Sequence, residues 1–182
     1  MLLDFWHYFL ELVWLFLPAG CANMAASFFR RVHFLDYPVD FGRSWRGKRF
    51  FGDHKTFRGF FFGILSAVLF VHFQKAIYPS MINYSILNYY QINVWIVGLL
   101  MGWGALLGDL VRSFIKRRLG TPPGVYWFPF DQIDWLIGTQ VFVIFYLDLN
   151  WQIVVASLLL SIIIHPLVNY SCYLLKLQKN KF

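Results

Sequence analysis

The sequence predicts an all-α, polytopic integral membrane protein, and three observations carry that reading. Of 182 residues, 59% are hydrophobic and 21% aromatic, and the mean hydropathy is +0.55. Only 14% are charged, against about 25% in an ordinary soluble domain. Long apolar runs recur at lengths that suit a bilayer, which ~20 such residues can cross. The basic residues gather between those runs instead of covering a solvated face. The net charge of +7 therefore points to a membrane surface, and no nucleic-acid partner is expected.

Five spans follow in order, at about 3–28, 57–78, 92–111, 135–147 and 151–175. The first contains Asp4, Glu11 and Pro18, lacks a basic start and continues through "ANMAASFF", so "PAGC" is read as part of a retained helix and not as a cleavage site. The fourth is short and polar in "DQIDWLIGTQ", and spans fully only if its helix begins near Asp131. A very short connection follows, which predicts that the last two helices form an antiparallel pair. Cys21 and Cys172 lie far apart in apolar segments and carry no disulfide or metal signal. No repeat or linker divides the chain, so residues 1–182 are read as one membrane-embedded domain.

Fifteen of the sixteen Lys and Arg fall in or beside the first connection, the third connection and the tail; only Lys75 lies near the second. By the positive-inside rule the N-terminus is external and the tail cytoplasmic, as for a protein of the cytoplasmic (inner) membrane. Two cytoplasmic loops, about 29–56 and 112–133, then hold nearly all the polar chemistry.

The third span ends in "GDLVRSFIKRRLG". On a helix, Asp109, Ser113 and Lys116 share one face at i, i+4 and i+7, beside a basic row of Arg112 and Lys116. Ionisable groups at membrane depth need partners, water or ligand, which makes them functional candidates. A structural Asp109–Arg112 pair with Lys116, Arg117 and Arg118 snorkelling to the headgroups explains the same residues. "GLLMG", "GALLG" and "GFFFG" place small residues four apart, a spacing that lets helices approach closely and can bring the two loops together. In "DQID", Asp131 and Asp134 point the same way, and two such carboxylates at an apolar boundary call for a cation between them; magnesium fits hard oxygen ligands completed by phosphate. Helix capping accounts for them as well. Three carboxylates among so many basic groups indicate a phosphate compound bound near the bilayer surface.

Taken together, "LPAGCANM", "FFGDHKTFRG", "GALLGDLVRSFIKRRLGTPPG" and "FDQID", in this order around five spans, resemble the CDP-archaeol synthase family and its bacterial relatives in the CDP-diacylglycerol synthase superfamily. The likeness covers nearly the whole chain, with Phe57 and Trp135 standing where Trp and Phe are expected. It implies a CTP-dependent cytidylyltransferase with Mg2+ as cofactor, which transfers CMP from CTP to a membrane lipid monophosphate. Lys116, Asp131 and Asp134 would be catalytic, and Asp109, Asp131 and Asp134 would bind metal. Asn23, Lys55, Thr56, Arg58, Ser113, Lys116 and Arg117 would contact CTP and the lipid phosphate. His54 is read as a loop hydrogen-bonding residue, and Arg43, Arg46, Lys48 and Arg49 as a headgroup-binding rim. A non-enzymatic lipid carrier or ion pathway is the alternative. A CDP-alcohol phosphotransferase is disfavoured because the chain has no Asp-Gly dipeptide.

Overall fold

The computed structural model describes residues 2–122 and 125–174. Lys176, Lys179 and Lys181 of the tail, and Pro123 and Gly124 of the "TPPG" stretch, lie outside the described residues. Five helices dominate: α1 Leu2–Phe28, α2 Phe57–Met81, α3 Val94–Arg118, α4 Phe130–Leu147 and α5 Trp151–Leu174. Among the described residues four stretches are long and apolar enough to cross a membrane, Asp4–Arg31, Phe57–Tyr84, Val94–Arg118 and Trp151–Val168; α4 is not among them. Its 18 residues span about 27 Å at 1.5 Å per residue, slightly less than a bilayer core.

Local signals set the ends. Thr56 caps α2 by accepting from the Gly59 N–H at 3.3 Å, and Asn93 caps α3 by accepting from Trp95 and Ile96. At the other end of α3, Gly120 takes φ +78, its N–H reaches the Arg117 carbonyl at 3.2 Å, and the Thr121 N–H reaches that of Lys116 at 3.0 Å. This is a Schellman stop, for which glycine is the favoured residue.

Both helices run beyond the expected span limits, and this matters for the site. Helix α3 continues past Val111 to Arg118, as the shared face of Asp109, Ser113 and Lys116 requires, and α4 begins at Phe130, beside the Asp131 start that a full span needs. The loop expected over 112–133 is therefore confined to 119–129, and its acidic and basic residues ride on two rigid helices. The extension costs little: the basic residues of the last α3 turn complement the negative end of its helix dipole, and Asp131 the positive start of α4.

The seam between α3 and α4 is built on glycine. A Cβ at Gly104 would stand 2.7 Å from the Gly138 carbonyl oxygen, and one at Gly108 would collide with the backbone carbonyl of Asp134. Backbone therefore rests on backbone, and Asp109, Arg112 and Lys116 face Asp131 and Asp134. The "GLLMG" glycines serve a different partner, since Gly98 and Gly102 lie against Val68 and Ile64 of α2. Leu15, Val71, Met101, Leu136 and Val143 fill the apolar centre of the bundle. Buried polar ties cross it: Gln74 donates to the Trp14 carbonyl at 2.6 Å, Gln140 to Ser157 at 2.7 Å and Ser161 to the Gln132 carbonyl at 2.5 Å.

The first loop is ordered by one acid. Asp40, its side chain 1% exposed, pairs with Arg49 at 2.6 Å and accepts from the backbone N–H groups of Gly42, Phe51 and Gly52. A small antiparallel hairpin follows, β1 Ser44–Trp45 with β2 Lys48–Arg49. Arg118 staples it to the end of α3 by donating to the carbonyls of Trp45, Lys48 and Arg49 at 2.6 to 2.9 Å. The expected rim of four basic residues is thus divided. Arg49 is bound to Asp40 and Asp53, Lys48 donates to the Arg118 carbonyl, and Arg43 and Arg46 remain exposed.

Candidate functional site

Where α1, α2, α3, α4 and the first loop meet, a cavity of about 560 Å³ opens. Its wall includes Asn23 from α1, Lys55 and Thr56 at the start of α2, Asp109, Ser113, Lys116 and Arg117 from α3, and Asp131 and Asp134 from α4. Asn23 and Asp131, more than a hundred residues apart in sequence, are brought to one surface because α1 packs against both α3 and α4.

Arg112 stands at the centre of the acids. Its guanidinium contacts Asp109 and Asp131 and lies 2.6 Å from Asp134, so one cation serves carboxylates from two helices. The Arg112 Nε and Asp134 Oδ2 atoms are close, yet the N–H does not point at the oxygen, and both remain buried without a hydrogen-bond partner. Lys116, 8% exposed at its side chain, reaches Asp131 at 3.1 Å and donates to the Val125 carbonyl. Lys55 crosses from the first loop to Asp109. Three carboxylates are thereby matched by Lys55, Arg112 and Lys116, which makes their burial tolerable.

The remaining expected residues divide into those that line the cavity and one that does not. Ser113 donates to the Asp109 carbonyl one turn back at 2.8 Å, and Arg117 donates to the Pro122 carbonyl at 3.3 Å. Thr56 Oγ1 is engaged as the α2 cap. Arg58 is absent from this wall: its Nη1 donates to the Val32 carbonyl at 2.6 Å and meets Asp36 at 2.9 Å. Three positions after Lys55, it has rotated to another face of the helix start.

The sequence reading passed over three residues here. Arg112 was assigned only to Asp109, although its other two partners lie on α4. Tyr126 and His165 also line the cavity, the latter from α5. A lone ionisable residue in the apolar α5 run was the available signal for His165. His54 accepts from Arg30 on Nδ1 at 3.2 Å; burial, and then the Arg30 charge, push its pKa below the usual value, so its ring is neutral at neutral pH.

The donor set suits a hard divalent cation. Asp109, Asp131 and Asp134 offer only oxygens, and Asp134 Oδ2 is a buried acceptor whose demand no protein donor meets. Among the described residues no three His, Cys, Asp or Glu side chains form a ready ligand set, and the guanidinium of Arg112 holds the central position. Magnesium therefore fits the chemistry of the site, with Arg112 as its competitor.

Comparison with known proteins covers the same ground. A family model described as CarS-like, CDP-archaeol synthase, matches residues 5–182. The CDP-archaeol synthase of Pyrobaculum aerophilum is 36% identical, over 94% of this chain and 95% of that protein. That of Pyrobaculum islandicum is 32% identical, over 94% and 96%. The one from Pyrococcus furiosus is 40% identical over 75% of each. A solved intramembrane enzyme for archaeal membrane lipids biosynthesis superposes with a TM-score of 0.71 at 26% identity, covering 88% of this chain and 93% of its own. The helices that cross a membrane, the polar cavity between them and the match along nearly the full length agree, and the chain belongs to the CDP-archaeol synthase family.

Proposed function

We propose that the cavity is the active site of a magnesium-dependent lipid-phosphate cytidylyltransferase that makes a CDP-lipid and pyrophosphate from CTP and a membrane lipid monophosphate. The observation that carries this reading is the gathering of Asp109, Asp131 and Asp134 with Lys55, Arg112 and Lys116 in one cavity of about 560 Å³. That volume lies within the range of small-molecule sites. Family membership supports the enzyme over the carrier or ion-pathway alternative.

The lipid phosphate oxygen attacks the α-phosphorus of CTP and forms a new P–O bond. The bond to the β-phosphate oxygen breaks, and its electron pair leaves with pyrophosphate. The nucleophile is already ionised near neutral pH, so no strong general base is needed. The difficulty is to bring two polyanions into line, and positioning with charge neutralisation supplies most of the rate. Asp131, Asp134 and Asp109 would hold magnesium, which when bound supplies Lewis-acid neutralisation of the phosphates. Lys116 and Arg117 contact the triphosphate, and Lys55 lies where both substrates approach. Ser113 and Asn23 offer polar contacts from α3 and α1. Arg112 carries a fixed positive charge at the same point.

The same reading gives the chain five spans, α4 included, with the N-terminus outside and the site facing the cytoplasm of the inner membrane. Cysteine labelling in intact cells tests this: external access to a cysteine replacing Arg46 would reverse the orientation. For the activity, purified protein is incubated with α-labelled CTP, a lipid monophosphate, and either magnesium or chelator. The expected result is label in lipid with one pyrophosphate released per transfer, only with magnesium. No labelled lipid from ether- or ester-linked phosphates would sink the proposal.

A further inference from the structure

A second, smaller pocket of about 140 Å³ adjoins the main cavity and shares Ser27, His54, Lys55 and Thr56 with it. Arg30 and Arg58 border the smaller pocket alone. Its electrostatics are unlike those of the main cavity. Arg30 rests on the neutral ring of His54 at 3.2 Å and meets no carboxylate among the described residues. Arg58 is buried, 5% exposed at its side chain; both of its contacts use Nη1, and its Nε has no hydrogen-bond partner. Asp36, half exposed, is the acid paired there. A buried guanidinium donor without an acceptor is costly unless something completes it.

Aromatic residues flank the segments that supply this pocket. Phe28, 71% exposed, follows Ser27 at the end of α1. Phe29 stacks on Phe62 of α2 with centroids 4.2 Å apart, and Phe34 packs against Phe61 at 5.5 Å. Arg30 and Arg58 thus come from segments that also carry aromatic residues.

We propose that this pocket is the subsite for the phosphomonoester of the lipid substrate, while the CTP triphosphate stays in the larger cavity. The inference rests on the cytidylyltransferase reading and assigns its second substrate a place. Size agrees, since the pocket suits one phosphate group, whereas a nucleoside triphosphate needs several times that space. Charge agrees, because Arg30 and Arg58 bring to this pocket the guanidinium groups that a phosphate dianion takes, and the Arg58 Nε is a buried donor with no hydrogen-bond partner. Position agrees as well. In-line displacement needs the nucleophile and pyrophosphate on opposite sides of the α-phosphorus. Lys55 and Thr56 border both pockets, whereas Lys116 and Arg117 border only the larger one.

Arg30→Gln is the direct test, because Arg30 is exposed and its loss leaves no buried charge. In two-substrate kinetics with mixed micelles, the KM for lipid monophosphate should rise about tenfold, the loss of one charge-assisted contact. The KM for CTP should stay within twofold. Inorganic phosphate should compete with the lipid and not with CTP, weakly in comparison with a lipid that also buries its chains. Arg58→Lys, which keeps the charge near Asp36 but removes the guanidinium Nε donor, should shift the same constant in the same direction. A rise in the KM for CTP alone, relief of pyrophosphate inhibition, or no change in either KM would overturn the assignment. Direct binding of a fluorescent lipid monophosphate, without CTP, separates this inference from the activity. If the wild type makes no CDP-lipid, the cytidylyltransferase reading fails, and equal binding by wild type and Arg30→Gln would overturn the pocket independently.

Discussion

Replacing Arg112 with Gln removes the cation on which the three carboxylates converge, and its consequences can be worked from the contacts. The site holds Asp109, Asp131 and Asp134 against Lys55, Arg112 and Lys116, and the three acids are 7 to 12% exposed at their side chains. After substitution the three carboxylates face Lys55 and Lys116 alone, and Asp134 loses the cation in contact with it. Truncating one partner of a buried ion pair costs about 3–5 kcal/mol, because the other charge stays buried without compensation. In detergent with chelator, Arg112→Gln should therefore unfold well below the wild type. Magnesium should then recover much of that loss, since a divalent ion placed among the acids restores the missing charge, and it should stabilise the variant more than the wild type. Thermal unfolding of both proteins across a magnesium titration reads this out. Equal unfolding temperatures without metal, or equal stabilisation of both by magnesium, would refute the idea that the guanidinium stands where the ion binds.

Three further outcomes follow from other contacts. Gly108→Ala forces a methyl into the Asp134 carbonyl, so it should cost about 3 kcal/mol or more and abolish transfer, whereas Gly20→Ala, with only Trp135 at 3.9 Å, should leave thermal unfolding near wild type. Lys116→Ala should weaken CTP affinity measured by equilibrium binding; an unchanged affinity would return Lys116 to anchoring the helix end. For Asp40, burial alone would raise the pKa, but Arg49 and the N–H groups of Phe51, Gly42 and Gly52 hold it at about 2. A depressed carboxyl stabilises above its unfolded value near ~3.9, so about 2 kcal/mol of first-loop stability should vanish as pH falls from about 4 to about 2, and limited acid proteolysis of residues 38–52 should show that window.

The apolar helices were legible because a membrane span is a local property: some twenty apolar residues announce it regardless of their neighbours. Helix α4 was harder to delimit, because Asp131, Gln132 and Asp134 occupy its first turns and dilute its hydropathy. Its place in the bundle depends on Gly138 meeting Gly104 and Gly108, a pairing between distant segments that spacing within either one does not reveal. The site was readable to the extent that helical periodicity governs it: Asp109, Ser113 and Lys116 share a face as their spacing requires, and all three line the cavity. Arg58 borders the smaller pocket with Lys55 and Thr56 and not the larger cavity, because proximity in sequence does not fix the face on which a helix begins. The triple engagement of Arg112 depends on how α3 and α4 are rotated about their axes, which the sequence does not encode residue by residue.

The central claim is that the carboxylates shared by α3 and α4 form a metal-dependent centre for cytidylyl transfer, and the substitutions Asp131→Asn and Asp134→Asn, singly and together, test it most directly. Each keeps the shape and most of the hydrogen-bonding capacity of the side chain, so a capping role for Asp131 would survive. Transfer of label from CTP to lipid monophosphate, measured against magnesium concentration, should fall by at least a hundredfold in each single variant. The double variant should lose little beyond the worse single one, because groups acting as one unit are not additive. Near-normal turnover with an unshifted magnesium dependence in both single variants would contradict the account.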